Sequence, residues 1–199
     1  MLQNGMLGDA DLVRSFQGGR KEAFDTLVMR HKDKVFNLCY RFLGDYQEAS
    51  DMAQEIFIKV YRSLKKFRFE SAFSTWVYRI AVNTCKNRLK SLEFRFKKRI
   101  MRIGNPEPSE AHNPSVELAD ESSPMTELEQ KERSLMIQRA IDSLPAKKKT
   151  VVVLRDIEGL SYEEIANITG FNLGTVKSTL ARARFDLKER LRGMIQNEM

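Results

Sequence analysis

Polar and basic side chains recur on one face of a predicted helix near the C-terminus, at a spacing that suits contact with DNA. This face carries Thr175, Lys177, Ser178, Arg182 and Arg184. An apolar stripe with the period of an α-helix occupies the other side and consists of Val176, Leu180, Ala183, Leu187 and Leu191. A helix of this kind can pack through its apolar side and lie in the major groove with its polar side.

Turn signals before this helix predict a helix-turn-helix over residues 160–184. Ser161 and Glu164 form a capping-box pattern that starts a short helix, and Gly170 can adopt the left-handed conformation that ends it. Asn172 is a typical cap for the helix that follows. A helical hairpin whose polar side meets only solvent has the same periodicity, so periodicity alone leaves both interpretations open. The turn spacing and the basic bias favour DNA binding.

A second candidate surface lies in the aromatic-rich stretch 67–90. Arg79, Asn83, Lys86 and Lys90 recur along one line of a predicted helix, where they can follow a phosphate backbone. Before this helix, residues 67–71 set aromatics beside polar groups, a composition that accepts unstacked bases of single-stranded nucleic acid. The alternative is that the aromatics fill a small helical core, and this is the interpretation we prefer for Trp76.

A third surface is predicted on a helix over about residues 47–66, whose core face keeps helical spacing. Rotated away from the core, Asp51, Gln54, Glu55, Ile58 and Arg62 form a polar stripe with one aliphatic side chain in it. Such a stripe is either an ordinary solvated face or a docking surface for another protein.

No residue set for catalysis is found in the sequence, which holds no P-loop, no GxGxxG after a strand, no HExxH and no GxSxG. His31 and His112 are far apart, and Cys39 and Cys85 fit buried thiols better than a disulfide framework or a metal site. We therefore expect no enzymatic activity, no metal, no cofactor and no small-molecule substrate. Without a secretion signal or an apolar stretch of membrane-spanning length, the protein is expected to be cytoplasmic, with no direct membrane insertion.

Composition predicts two small helical domains joined by a linker. The chain has 199 residues and a formal net charge of +7, which favours a polyanionic partner. A basic run up to Arg102 is followed by an acidic, proline-containing stretch that cannot bury enough apolar surface to fold. We place the first domain at 1–95, a flexible linker at 96–127 and the second domain at 128–199. The run TVVVL at 150–154 favours a strand by β-branching, but no other segment offers a sheet partner, so the expected fold class is all-α.

Three stretches together resemble a known family. They are DMAQEIFIKVYRSLKKF at 51–67, SAFSTWVYRIAVNTCKNRL at 71–89 and LPAKKKTVVVLRDIEGLSYEEIANITGFNLGTVKSTLARAR at 144–184. In content and order they are similar to the extracytoplasmic-function (ECF) class of RNA polymerase sigma factors in the sigma-70 family, of the sigma-E and sigma-W type. The resemblance implies a region 2 helical bundle and a region 4 helix-turn-helix, which recognise the −10 and −35 promoter elements.

The resemblance also assigns expected roles to positions of this chain. The surface that faces the clamp helices of the polymerase β′ subunit corresponds to Asp51, Gln54, Glu55 and Ile58. The residues expected at the −10 element are Ser63, Phe67, Arg68, Glu70, Ser71, Arg79, Asn83, Lys86 and Lys90. Those expected at the −35 element are Arg155, Asn172, Gly174, Thr175, Lys177, Ser178, Thr179, Ala181 and Arg182. The implied partners are core RNA polymerase (β′ clamp helices and β flap), promoter DNA and an anti-sigma factor.

Two positions depart from the family pattern. Phe69 replaces the glycine that is common in the base-capture loop, and Thr179 stands where arginine is frequent. The alternative function is a free-standing helix-turn-helix transcriptional regulator whose N-terminal domain senses a signal or dimerises. The polar stripe at 51–58 and the aromatic loop behind it favour the sigma-factor interpretation, because a simple repressor needs neither.

Overall fold

The computed structural model describes residues 7–103 and 124–197, and every regular element within these ranges is helical. The helices are α1 (Asp9–Gln17), α2 (Glu22–Leu43), α3 (Tyr46–Leu64), α4 (Phe73–Ile103), α5 (Pro124–Asp142), α6 (Ala146–Val152), α7 (Tyr162–Thr169) and α8 (Leu173–Asn197). The all-α prediction is confirmed. The β-branched run at 150–154, which favours a strand by its composition, lies instead in the end of α6 and in a π-helical turn at Val153–Ile157. Residues 104–123 of the predicted linker lie outside the described residues.

Helices α1 to α4 form the first bundle around a continuous apolar core. Gly44 adopts a left-handed conformation, with φ of 75°, and ends α2, and the Asp45 carboxylate caps α3 by accepting from the Glu48 amide at 2.7 Å. Arg88 on α4 pairs with Glu48 through two bonds of 2.8 and 2.6 Å, which holds α4 against α3. The two cysteines are buried as expected, and the fold brings their sulfurs to 3.7 Å, a proximity that the sequence did not predict.

Helices α5 to α8 form the second bundle, with a core of Val151 to Leu154 packed against Ile165, Val176 and Leu180. The β-branched residues that looked like a strand are completely buried here, since they sit at the centre of this small bundle. Burial of apolar area outweighs the modest intrinsic preference of valine for extended backbone.

The two bundles pack against each other, mainly through α4 with α7 and through α2 with α5. The Lys149 ammonium donates to the carbonyl of Phe42 at 2.8 Å, and the Gln138 amide donates to the carbonyl of Arg41 at 3.3 Å. These carbonyls belong to the last turn of α2, where carbonyl groups have no N–H donor within their own helix. The second bundle therefore caps a helix of the first. A further bond of 2.6 Å joins the Tyr78 hydroxyl to the Glu158 carboxylate.

Candidate nucleic-acid and polymerase interfaces

The helix-turn-helix is built by three local caps, all of which the sequence predicted. Ser161 accepts from the Glu164 amide at 3.1 Å, while the Glu164 carboxylate accepts from the Ser161 amide at 2.8 Å, which completes the capping box. Gly170 has φ of 74° and ends α7. The Asn172 side chain accepts from the Thr175 amide at 2.7 Å and thereby starts α8. These bonds fix the angle at which α8 leaves the turn.

The polar face of α8 is open to solvent where the sequence predicted a DNA-reading surface. Lys177, Ser178, Ala181 and Arg182 are exposed, whereas Thr175 and Thr179 are half-buried. At the start of the helix, Asn172 and Gly174 are exposed as well, although the Asn172 oxygen is already used as the helix cap. Small and basic exposed residues on one side allow close approach to base edges and phosphates.

Arg155 is held by the fold beside this surface. Its guanidinium donates to the carbonyl of Leu160 at 2.7 Å and lies 4.9 Å from the centre of the Tyr162 ring. A guanidinium has five N–H donors, so Arg155 keeps donors for a phosphate after making this bond. The neighbouring Arg184 is paired with Asp156 through two hydrogen bonds.

On α4 the predicted basic line is only partly exposed. Asn83 and Lys90 face solvent, while Arg79 and Lys86 are half-buried. The Lys86 ammonium lies 5.8 Å from the centre of the Phe171 ring in the turn before α8. Burial, and to a smaller degree the nearby Lys90, lower the pKa of Lys86 below its ordinary value. The buried Nε of Arg79 has no hydrogen-bond partner among residues 7–103 and 124–197.

The loop between α3 and α4 is organised around an aromatic cluster. Phe67 is only 8% exposed, with its ring centre 4.9 Å from that of Trp76 and 6.2 Å from that of Phe73. Phe67 is therefore largely a core residue in this structure, and Trp76 packs beside it in agreement with the preferred interpretation. Arg68 and Glu70 are exposed and Ser71 is half-buried, so polar groups surround the cluster at the surface. The hydroxyl of Ser63 is used within α3, where it donates to the carbonyl of Lys59 at 2.5 Å.

The outer face of α3 carries the predicted polymerase surface. Asp51, Gln54, Glu55 and Ile58 are all exposed, and half of the Ile58 side chain meets solvent. Glu55 is paired with Lys59 at 2.6 Å on the same helix. One aliphatic side chain ringed by carboxylates and an amide is typical of a protein contact with a polar rim.

Several residues at these surfaces were not predicted from the sequence. Gln17 on α1 donates to the carbonyls of Leu64 and Phe67 and thereby supports the aromatic loop. Arg14, also on α1, lies over the ring of Phe69. The only sequence feature that could have drawn attention to these α1 contacts was Phe69, which stands where a glycine is usual.

Other features of the described residues bear on function. An open, mainly apolar groove of about 620 Å³ runs along the second half of α8, lined by Arg184, Leu187, Lys188, Leu191, Arg192 and Gln196. Among residues 7–103 and 124–197, no three His, Cys, Asp or Glu side chains cluster as a metal site would require. None of the described helices combines the length and the apolar character needed to cross a membrane.

Comparison with protein families and curated proteins decides the family. A model described as Sigma-70 region 2 matches residues 27–95, and one described as Sigma-70, region 4 matches residues 134–187. The chain is 38% identical over 195 residues to the RNA polymerase sigma-H factor of Pseudomonas aeruginosa, covering 94% of this chain and 96% of that protein. It is 39% identical over 189 residues to the ECF RNA polymerase sigma-E factor of Haemophilus influenzae, covering 95% and 98%. The chain belongs to the ECF sigma factors of the sigma-70 family.

Solved structures show the same fold for this sigma factor. CnrH in complex with the cytosolic domain of CnrY aligns with a TM-score of 0.66 at 22% identity, covering 93% of this chain and 97% of CnrH. The sigma factor RpoE of Bartonella quintana, in complex with the anti-sigma factor NepR, aligns with a TM-score of 0.64 at 20% identity, covering 85% and 96%. The predicted polymerase and −10 residues fall within the matched region 2, and the predicted −35 residues fall within the matched region 4.

Proposed function

We propose that this sigma factor directs core RNA polymerase to promoters of a stress or envelope response and starts transcription there. The observation that carries the proposal is one chain with three separate surfaces: an exposed polar stripe with an apolar centre on α3, an aromatic loop with basic residues on α4, and a capped helix-turn-helix. A regulator that acts alone needs only the last of these. The roles are polymerase binding, recognition of the opened −10 strand and recognition of the −35 duplex, in that order.

At the polymerase, Asp51, Gln54, Glu55 and Ile58 contact the β′ clamp helices. Their exposure to solvent, on a helix whose other side is buried, supports this role. The groove along the second half of α8 is the site that we assign to the β flap, since its floor is mainly apolar, it is open to solvent, and Lys188 and Arg192 lie at its edges.

At the promoter, the loop 67–71 and the α4 line read the opened −10 element, with Lys86 and Lys90 at phosphates. Residues 172–182, together with Arg155, read the −35 element in duplex form. Extruding and holding an unpaired base costs stacking and pairing, and an aromatic loop with polar edges offsets that cost. Two half-sites held by one polymerase complex give the selectivity that neither small domain supplies alone.

An anti-sigma factor is the regulator that we propose, acting in the cytoplasm. Both similar structures contain a bound protein, NepR with the Bartonella quintana factor and the cytosolic domain of CnrY with CnrH. A protein that covers the α3 surface would prevent polymerase binding, because the same exposed Ile58 and carboxylates serve as its contact.

Transcription with purified components tests the proposal. Core RNA polymerase with this sigma factor is incubated with fragmented genomic DNA of the source organism, and the 5′ ends of the transcripts are mapped. We expect starts preceded by two shared elements at a fixed spacing, and weak binding of the protein alone to duplex DNA. Tight sequence-specific binding without polymerase, with no transcripts when polymerase is present, would establish the free-standing regulator instead.

A further inference from the structure

Phe69 occupies a backbone conformation that a phenylalanine rarely adopts. Its φ is +59°, and it is the one non-glycine residue with positive φ in the described part of the chain. Left-handed backbone is unfavourable for a residue with a Cβ, whereas a glycine at this turn would carry no such cost. The loop therefore bears strain that a different residue would avoid.

The surrounding structure holds this strained turn in place. The side-chain amide of Gln17 donates to the carbonyl of Leu64 at 3.1 Å and to that of Phe67 at 2.9 Å, which fixes the chain entering the turn. The Arg14 guanidinium lies 5.1 Å from the centre of the Phe69 ring, and the Phe67 ring meets it in a T-shaped contact at 5.0 Å. Arg14 and Phe67 orient the ring, while the Gln17 bonds hold the backbone that leads to it.

Burial does not explain the strain, since the Phe69 side chain is 37% exposed. Its neighbours Phe67 and Phe73 are 8% and 5% exposed and supply the apolar packing of this region. A strained, oriented and yet exposed aromatic side chain is the combination found at ligand-binding positions. The exposed groups beside it, Arg68 and Glu70, offer a donor and an acceptor at the same surface.

We propose that Phe69 and Arg14 form a stacking platform for an unpaired base of the opened promoter strand. The inference rests on the proposed function, and it extends the −10 site to α1 and to a residue outside the predicted contact set. An aromatic ring stacks on any base, and a guanidinium at the ring adds a cation that suits the adjacent phosphate. The platform gives this factor one base contact that a glycine in the same loop cannot provide.

The test measures the lifetime of polymerase complexes, reconstituted with the full chain, on promoter templates with a preformed bubble. A set of templates carries a single abasic site at each position of the opened non-template strand. Phe69→Gly removes the ring and suits the turn, and Phe69→Leu keeps apolar bulk without an aromatic face. Met29→Ala, on the exposed face of α2, is the matched loss of an exposed apolar side chain elsewhere.

We expect Phe69→Gly to shorten the lifetime on the intact strand by roughly five- to 150-fold, the range of one lost base–aromatic stack. Phe69→Leu should shorten the lifetime by a smaller factor than Phe69→Gly, and Arg14→Gln by a smaller factor still. Met29→Ala should leave the lifetime unchanged. One template carries its abasic site at the position of the stacked base, and on it the wild-type complex should have a lifetime shortened by the same factor. On that template, Phe69→Gly should shorten the lifetime no further. The thermal midpoint of Phe69→Gly should equal or exceed that of the wild type, because glycine adopts this φ freely.

Equal lifetimes for Phe69→Gly and wild type, or an equal added loss on every abasic template, would overturn the platform. A lowered thermal midpoint with a uniform loss would likewise assign the ring to packing. These results leave the proposed function intact, since the wild type still forms promoter complexes. Failure of the wild type to form any complex on the bubble templates would instead refute the proposed function.

Discussion

Individual side chains at the predicted DNA surfaces already have partners inside the folded chain. The Asn172 oxygen caps α8, the Arg155 guanidinium bonds to the carbonyl of Leu160, and the Lys86 ammonium lies near the Phe171 ring. For Asn172 and Arg155 these contacts orient the residue without using all of its donors. For Lys86 the contact comes from the other bundle, so a phosphate at Lys86 competes with Phe171.

We expect the buried pair of Tyr78 and Glu158 to make the contact between the bundles sensitive to pH. Burial raises the pKa of Glu158 above its ordinary value of 4.5, while the Tyr78 hydrogen bond, Lys34 and Arg41 act in the opposite direction. A carboxyl whose pKa is higher in the packed state than in the separated state favours packing when protonated. Its contribution is complete below the ordinary pKa and is lost as the pH rises through the raised value.

We therefore expect the two bundles to separate more readily as the pH rises above the ordinary glutamate pKa of 4.5 and through the raised pKa of Glu158. Small-angle X-ray scattering of the full chain measures this as an increase in the radius of gyration with pH. Glu158→Gln keeps an oxygen that accepts from Tyr78 but does not titrate, so its radius should stay close to the low-pH value. The same pH profile in wild type and variant would show that Glu158 is not the group responsible.

At the scale of elements, local signals in the sequence predicted most of what the structure contains. The capping box at Ser161, the left-handed Gly170 and the Asn172 cap were all predicted, because each depends on residues within one turn of the chain. Helix ends near the linker were harder to place. α4 continues to Ile103, directly before Gly104, and α5 begins at Pro124, since proline suits the first turn of a helix. The expected linker boundaries at 96–127 relied on charge composition, which does not indicate where a helix begins or ends.

Gly170 allows a direct test of the turn on which the helix-turn-helix depends. A Cβ at this position would meet nothing within 4 Å, so Gly170→Ala introduces backbone strain without a clash. We expect a loss of about 1 to 2 kcal/mol in the free energy of unfolding, measured by urea denaturation. Gly193→Ala, inside α8 and equally free of contacts, should instead gain roughly 0.5 to 1 kcal/mol. Equal effects of the two substitutions would contradict a left-handed Gly170.

At the scale of the whole molecule, the contact between the bundles was not predictable from the sequence. Gln138 and Lys149 are polar residues in amphipathic helices, and such positions normally face solvent. Their burial is explained only by the α2 carbonyls that they cap, and those carbonyls belong to a segment about a hundred residues away. The composition of the linker likewise indicates that the domains are tethered, not how they meet. The candidate surfaces of each domain are therefore predictions from the sequence, whereas the packed arrangement came from the structure.

Two substitutions should open this arrangement without touching the predicted promoter contacts. Lys149→Met leaves the Phe42 carbonyl without its side-chain donor and removes one of the two donors to Asp142, a cost of about 1 to 3 kcal/mol that shifts the packed population roughly five- to 150-fold. Gly44→Ala would place a Cβ 3.0 Å from the Asp142 carboxylate at a backbone φ of +75°. We expect both to increase the radius of gyration measured by small-angle X-ray scattering. Gly19→Ala, also at positive φ but with nothing within 4 Å, is the matched control and should leave the radius unchanged. If Gly19→Ala expands the chain as much as Gly44→Ala does, strain in the first bundle, and not loss of the contact with the second, is the cause.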